Sequence, residues 1–338
     1  MYYCTIIMKP WQRGLGIAFL FSGFLLIAGY IYQRIGERRD RRRNPAPGRL
    51  VSVGDHRLHL FCKGSNAPTV VIEQGAGSPS RLWWPVQDKV AELASVCTYD
   101  RAGYLWSDPV PPGRTIAKRA EELHRLLVNS GIPGPYVLVA HSYGGLIVRS
   151  FARNHPEQMA GLVLVDTPDE ATIFQQKVLD FYSRMRVVSK VVELAARFGL
   201  LRVLGACFPA MRAGLPFSRA EEYAAAADDL ASLQSADQAT KRSGDPGSLG
   251  DLPLAVITHG QPFPGPFSIL EPSWSEGQKR LAALSTNSML IQAHKSNHMI
   301  HLDEPNIVID AIHRVHDAAR NHTRLTDNGH ELAAKGVR

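Results

Sequence analysis

The stretch Tyr136–Gly145, YVLVAHSYGG, constrains this chain more than any other. Five apolar residues rich in β-branched types read as a buried strand. They run without a linker into His141-Ser142-Tyr143-Gly144-Gly145, and the apolar pattern after Gly145 is helical to about Asn154. A strand that turns into a helix within three residues needs a strained backbone at the bend and small side chains two residues to either side. Ala140 and Gly144 meet that demand. Such a turn aims Ser142 Oγ out of the sheet, with backbone N–H groups around it and a helix N-terminus behind.

The rest of the pattern fits a layered α/β chain. LVSV, Gly54-Asp55 and HRLHLFC read as a hairpin. Further strand signals lie at 69–74, 95–100, 136–140, 161–166, 254–260 and 289–293. Helical signals separate them at 83–95, 115–129, 145–154, 275–284 and 305–319. Strands alternating with helices predict a mostly parallel sheet covered on both faces. Residues 167–250 carry helical signals only and read as a cap. Thr167-Pro168-Asp169-Glu170 is expected to open that cap, with Thr167 as N-cap and Glu170 closing a capping box; Ser218-Arg219-Ala220-Glu221 repeats the logic. Val187, Val188, Val191, Val192 and Ala195 lie between them at helical spacing.

The elbow resembles the nucleophile turn of the α/β-hydrolase superfamily, in its serine esterase and lipase branch. Ala140 stands where that motif usually has Gly. The resemblance runs over about residues 48–320. It implies an α/β-hydrolase fold with the helical cap inserted after the sixth strand. It also implies a Ser-acid-His order. His298, in Ser-Asn-His-Met-Ile-His after the last strand, takes the base position, with His301 and His294 as local competitors. Asp166 ends the strand GLVLVD in a Val-Asp-Thr-Pro context similar to that of lipases, and is the expected acid. Many relatives carry the acid after the next strand instead. There the chain reads THGQPFPGPFSILEPSW, without Asp, and Glu271 is the alternative. Asp169 is closer to Asp166 but is absorbed by helix capping. The resemblance assigns an oxyanion hole to the amides of Tyr143 and of Ala76, in Gln74-Gly75-Ala76. Asp100-Arg101-Ala102-Gly103 is similar to a turn motif after the fourth strand and is assigned no chemistry.

These residues predict metal-free acyl transfer by a Ser142–His298–Asp166 triad on a small-molecule ester or related acyl substrate. No cofactor is expected, and no metal-ligand spacing occurs. A Ser at the elbow argues against the branches that use Asp there. An aminopeptidase or acyltransferase on the same fold, or a silent binding protein, are the competing functions. Cap residues Phe174, Phe181, Tyr182, Phe198, Phe208, Met185 and Met211 suit an apolar acyl pocket, or simply pack the cap. Trp83 and Trp84 fit either pocket or core.

The N-terminus adds a membrane expectation. Residues 14–32 contain no charge, and 19 residues of helix span about 28 Å, close to a bilayer's hydrocarbon thickness. Uniform apolarity favours an uncleaved anchor over a core helix or a signal peptide. The chain's net charge of +7 would suggest nucleic acid if it were spread over the fold. Residues 1–43 hold eight Lys and Arg against two acids, whereas the remainder holds 30 against 29, so no nucleic-acid partner is expected. Arg38–Pro47 reads as a charged linker. The expected organisation is therefore an anchor and Arg flank (1–43), hydrolase core (44–166 and 251–320), cap (167–250) and polar tail (321–338).

The side of the membrane is contested within the sequence. Six Arg follow the span, which places the body in the cytoplasm by the positive-inside rule. The hydrolase resemblance makes the strands carrying Cys62 and Cys97 antiparallel neighbours, so a disulfide is open to them, as are two free thiols; a disulfide implies an oxidising compartment. Asn321-His-Thr matches a glycosylation sequon.

Overall fold

A computed structural model describes residues 10–208, 219–236 and 248–325. Ser218 and Met211 lie outside these residues. By internal contacts the chain forms two compact units, one of residues 1–45 and 189–223, the other of residues 46–188 and 224–338.

The larger unit is built on an eight-stranded sheet in the order β1-β2-β4-β3-β5-β6-β7-β8. Its strands are β1 (Arg49–Ser52), β2 (Arg57–Lys63), β3 (Thr69–Glu73), β4 (Val96–Tyr99), β5 (Tyr136–His141), β6 (Met159–Val165), β7 (Leu254–His259) and β8 (Ser288–Ala293). The β1–β2 hairpin and the β2–β4 pair are antiparallel; every other pair is parallel. The expected α/β-hydrolase architecture is therefore present. Each central strand is an apolar run because both faces are covered: β3, β4 and β5 are buried at every residue.

Helices α2 (Trp84–Val90), α3 (Ile116–Ser130) and α4 (Gly144–Asn154) belong to the first half of this unit. Thr115 caps α3 by accepting from the Lys118 amide, and Gly131, at φ 71°, ends it in the left-handed conformation. Leu123, Leu126 and Leu127 of α3 join Leu146, Ile147 and Phe151 of α4 in one core. On the opposite face Trp83, Val86 and Val90 pack with Val308, Ile312 and Val315. Trp83 is thus a core residue.

The cap segment contains α5 (Glu170–Ile173), α6 (Gln176–Arg197), α7 (Leu200–Cys207) and α8 (Ala220–Gln234); α9 (Glu271–Ala282), α10 (Ile300–Asp303) and α11 (Pro305–Asn321) complete the described helices. The first cap helix starts later than its sequence suggests. Asp169, not Thr167, is the N-cap and accepts from the Thr172 amide. Thr167 is fully buried, and Glu170 accepts from Arg149 Nε at 3.0 Å rather than closing a capping box. A buried arginine needing a carboxylate outweighs the local capping preference.

In the smaller unit, α1 (Pro10–Arg43) is one continuous helix of 34 residues. It runs through Arg38–Arg43, the first part of the segment expected as a linker. Gln33–Glu37 and Arg34–Glu37 bonds at helical spacing carry it past the apolar span, and no proline interrupts it before Pro45. It is the one helix among the described residues long and apolar enough to cross a membrane.

Cys62 and Cys97 face each other in the β2–β4 register and are disulfide-bonded.

Candidate active site

Ser142 lies between β5 and α4 with φ 52°, a left-handed conformation that a non-glycine residue adopts only when its surroundings impose it. Those surroundings are close. A Cβ at Gly144 would stand 2.6 Å from the Gln74 carbonyl oxygen, and one at Gly145 would stand 2.5 Å from Thr167 Cβ. Both glycines are needed, one against the β3 loop and one against the β6 loop.

His298 reaches this elbow from the loop between β8 and α10. Its Nε2 lies 2.9 Å from Ser142 Oγ and its Nδ1 lies 2.7 Å from Asp166 Oδ2. Asp166 follows β6 at φ 47° and is fully buried. Burial alone would raise its pKa, but hydrogen bonds from His259 and His298 outweigh that and hold it well below the ordinary carboxylate range. The Trp274 indole N–H (2.9 Å) and the His259 amide (3.1 Å) donate to it as well.

The competing residues sit elsewhere. Glu271, the first residue of α9, accepts from the Phe263 amide and approaches His259 Nε2 at 3.5 Å. His301 is buried and stacked on Trp83, and burial and His298 push its pKa down to about 3. His294 is exposed. Asp169 is taken by its cap and by Arg280 at 2.7 Å.

The loop after β3 lies against Ser142. A Cβ at Gly75 would come within 3.2 Å of Ser142 Cβ, so glycine lets the backbone close on the serine. The Ala76 and Tyr143 amides donate to no other described residue. Arg101 fixes this loop. Its guanidinium donates to the Gln74 carbonyl at 2.7 Å and the Gly75 carbonyl at 2.8 Å, and pairs with Glu73 at 2.5 Å and Asp229 at 2.8 Å. Burial opposes its charge, but Asp229 and Glu73 hold its pKa well above the ordinary value. The Tyr143 ring lies under Arg101 and Arg119, and its hydroxyl meets Ser232 Oγ at 2.6 Å.

Three participants were hidden in the sequence. Arg101 belongs to a recognised turn, but its partner Asp229 is 128 residues away on α8. His141 is buried, which holds it neutral, so its Nε2–H donates to the His298 carbonyl at 2.9 Å. His259 ends β7, where many hydrolases carry their acid. It meets both oxygens of Asp166, with Nδ1 at 2.9 and 2.8 Å. Its one available signal was a polar residue at that strand end.

The sheet order and the strand-turn-helix at Ser142 give the chain an α/β-hydrolase fold. The family model for the alpha/beta hydrolase fold matches residues 68–194. The chain is 29% identical over 257 residues to the uncharacterised protein YqjL of Bacillus subtilis, covering 76% of this chain and 87% of that protein. It is 36% identical over 114 residues to a putative carbamate hydrolase, RutD, of Yersinia enterocolitica, covering 32% of this chain and 41% of that protein. Among solved structures it resembles an enol-lactonase from Burkholderia xenovorans (TM-score 0.60, 16% identity, 79% of this chain and 99% of that one). It also resembles a putative lipase from Acinetobacter baumannii (TM-score 0.62, 18% identity, 86% of this chain and 97% of that one).

Proposed function

We propose that this protein is a serine hydrolase that cleaves a carboxylic ester, or a related acyl group, through a Ser142–His298–Asp166 triad. The observation that carries the reading is the unbroken chain Ser142 Oγ, His298 Nε2, His298 Nδ1, Asp166 Oδ2, with gaps of 2.9 and 2.7 Å. Asp166 holds the Nδ1–H tautomer, which leaves Nε2 free to accept the serine proton. Ser142 Oγ then attacks the substrate carbonyl. The amides of Ala76 and Tyr143 receive the developing oxyanion, and His298 returns its proton to the leaving group. Water, deprotonated by His298, opens the acyl-enzyme, and Ser142 regains its proton.

Relatives named as lactonase, lipase and carbamate hydrolase support a substrate whose carbonyl carries an oxygen or nitrogen leaving group. The α1 helix serves as a single-pass membrane anchor in this reading, supported by its length and by the uncharged apolar run at residues 14–32. Fluorophosphonate labelling of membranes bearing the full chain tests the enzyme. Label is expected on wild type and lost in Ser142→Ala; label that persists in Ser142→Ala overturns the assignment.

A further inference from the structure

The smaller unit is built inside out for water. Among its described residues the buried apolar cluster is Ala196, Leu201 and Ala220, with Val192 and Tyr223 partly buried against it. Val191, Leu194, Leu200, Val203 and Phe208 are all at least 45% exposed, on a segment of 18 residues. Scattered exposed leucines are ordinary, but five large apolar side chains left exposed over so small a buried cluster are not.

What lies beside this surface fixes its surroundings. One face of α1 (Gly29, Gln33, Gly36 and Asp40) packs on the α6–α7 joint and on the start of α7. A Cβ at Gly29 would collide with the Phe198 carbonyl, and one at Gly36 with the Arg202 side chain. Arg202 Nε donates to Gln33 Oε1 at 3.2 Å, and its guanidinium pairs with Asp40 at 2.8 Å. Gly199, at φ 74°, makes the joint; a Cβ there would stand 3.0 Å from the Gly29 carbonyl oxygen and 3.2 Å from the Tyr32 ring. The contacts give α7 a direction: its start lies beside Gly29–Gln33, and Arg202 lies farther along α1, beside Gly36 and Asp40. The joint is therefore level with the last turn of the uncharged span, which ends at Tyr32. Gly29 lies about 4.5 Å inside that end. Val203 comes one turn after Leu200, on the way out.

We propose that the α6–α7 joint is a second membrane contact, an interfacial wedge seated in the lipid beside α1. Leu200 and Leu194 enter the boundary between headgroups and acyl chains, and Val203 and Val191 lie at its outer edge. Arg197, exposed and paired with Glu193, keeps its charge at headgroup level. The occupant is a lipid surface because the exposed residues continue the apolar surface of the span they are packed against. The inference rests on the reading of α1 as a membrane anchor and is independent of the serine chemistry.

The test uses the full chain in lipid nanodiscs, with Cys4→Ser and Cys207→Ser removing the two cysteines outside the Cys62–Cys97 bond. An environment-sensitive fluorophore is attached at Leu200→Cys. Leu20→Cys in the span and the exposed Val128→Cys on α3 serve as references. Nitroxide lipids labelled near the headgroup should quench the Leu200 probe roughly threefold more than the Val128 probe, with iodide from water doing the reverse. Equal iodide quenching at Leu200 and Val128 overturns the wedge. So does a Leu200 probe that neither quencher reaches, which would mean protein, such as a second copy, covers it. A Leu20 probe untouched by deep-chain nitroxides overturns the anchor reading and the wedge with it. Ser142 reactivity enters none of these readouts, so failure here leaves the hydrolase reading intact.

Discussion

His259 Nδ1 lies 2.8 Å from Asp166 Oδ2, so the carboxylate that orients His298 is shared with a second imidazole. Burial works against a charged His259, but its bonds to Asp166 and its neighbour Glu271 raise its pKa above the ordinary value. A raised histidine pKa adds stability that is complete below the unfolded value of about 6.5 and fades as pH climbs through the folded value. His259→Asn should therefore cost about 1.5 kcal/mol at pH near 5.5, the size of a hydrogen bond to a charged group. The difference from wild type should shrink toward pH 9. Urea melts across that range check it; a difference that grows with pH refutes the charged pair.

Asp166→Asn should lower kcat by about four orders of magnitude, because an amide no longer holds the Nδ1–H tautomer of His298. Glu271→Gln touches His259 and the Phe263 amide only, and should leave turnover within about tenfold of wild type. The reverse ranking, measured on one soluble ester, would move the acid to Glu271.

Removing Arg101 leaves buried Glu73 with the Tyr99 hydroxyl but no cation, leaves Asp229 with Arg119 and the Tyr104 hydroxyl, and frees the Gln74 and Gly75 carbonyls. Arg101→Ala should destabilise the fold by about 3–5 kcal/mol. Arg101→Lys keeps a charge but cannot reach all four partners at once. That variant should fold and show a lower kcat with a nearly unchanged KM, since the amides flanking Ser142 lose their fixed aim. Unchanged kcat in folded Arg101→Lys would reduce Arg101 to a structural strut.

The Cys62–Cys97 bond closes 35 residues, for which chain entropy gives about 4 kcal/mol of stabilisation. Cys62→Ser with Cys97→Ser should lose about that much. A covalent bond at this site also argues for an oxidising compartment against the six-arginine flank. Alkylation of the full chain should label these cysteines only after reduction; labelling before reduction would remove this argument for an oxidising compartment.

The strand-to-helix turn at Ser142 and the positions of His298 and Asp166 beside it were legible because each is local: a strand end, a small residue and a polar side chain read within ten residues. Asp166 is the clearest case, since Val-Asp-Thr-Pro marks the end of β6 whatever else surrounds it. The supporting shell was not legible. Arg101 and Asp229, or His259 and Asp166, meet only after the sheet has set the register of distant strands. The capping error at Thr167 has the same origin, because the local rule could not see that Glu170 would be claimed by Arg149. The unbroken passage of α1 through its arginines was missed because charge was read as linker composition, while the residues up to Arg43 contain nothing that stops a helix.

That unbroken passage makes α1 a keyed shaft rather than a tether. Each residue of α1 turns the helix by about 100°, so the stripe from Gly29 to Asp40 meets Arg202 in one rotational phase only. A single alanine inserted after Gln33 would swing Glu37 and Asp40 off that face while preserving the length of the span. Seven inserted residues, close to two full turns, would bring the phase back at a new height. Within the smaller unit, the number of residues in α1 thus sets an angle as well as a length.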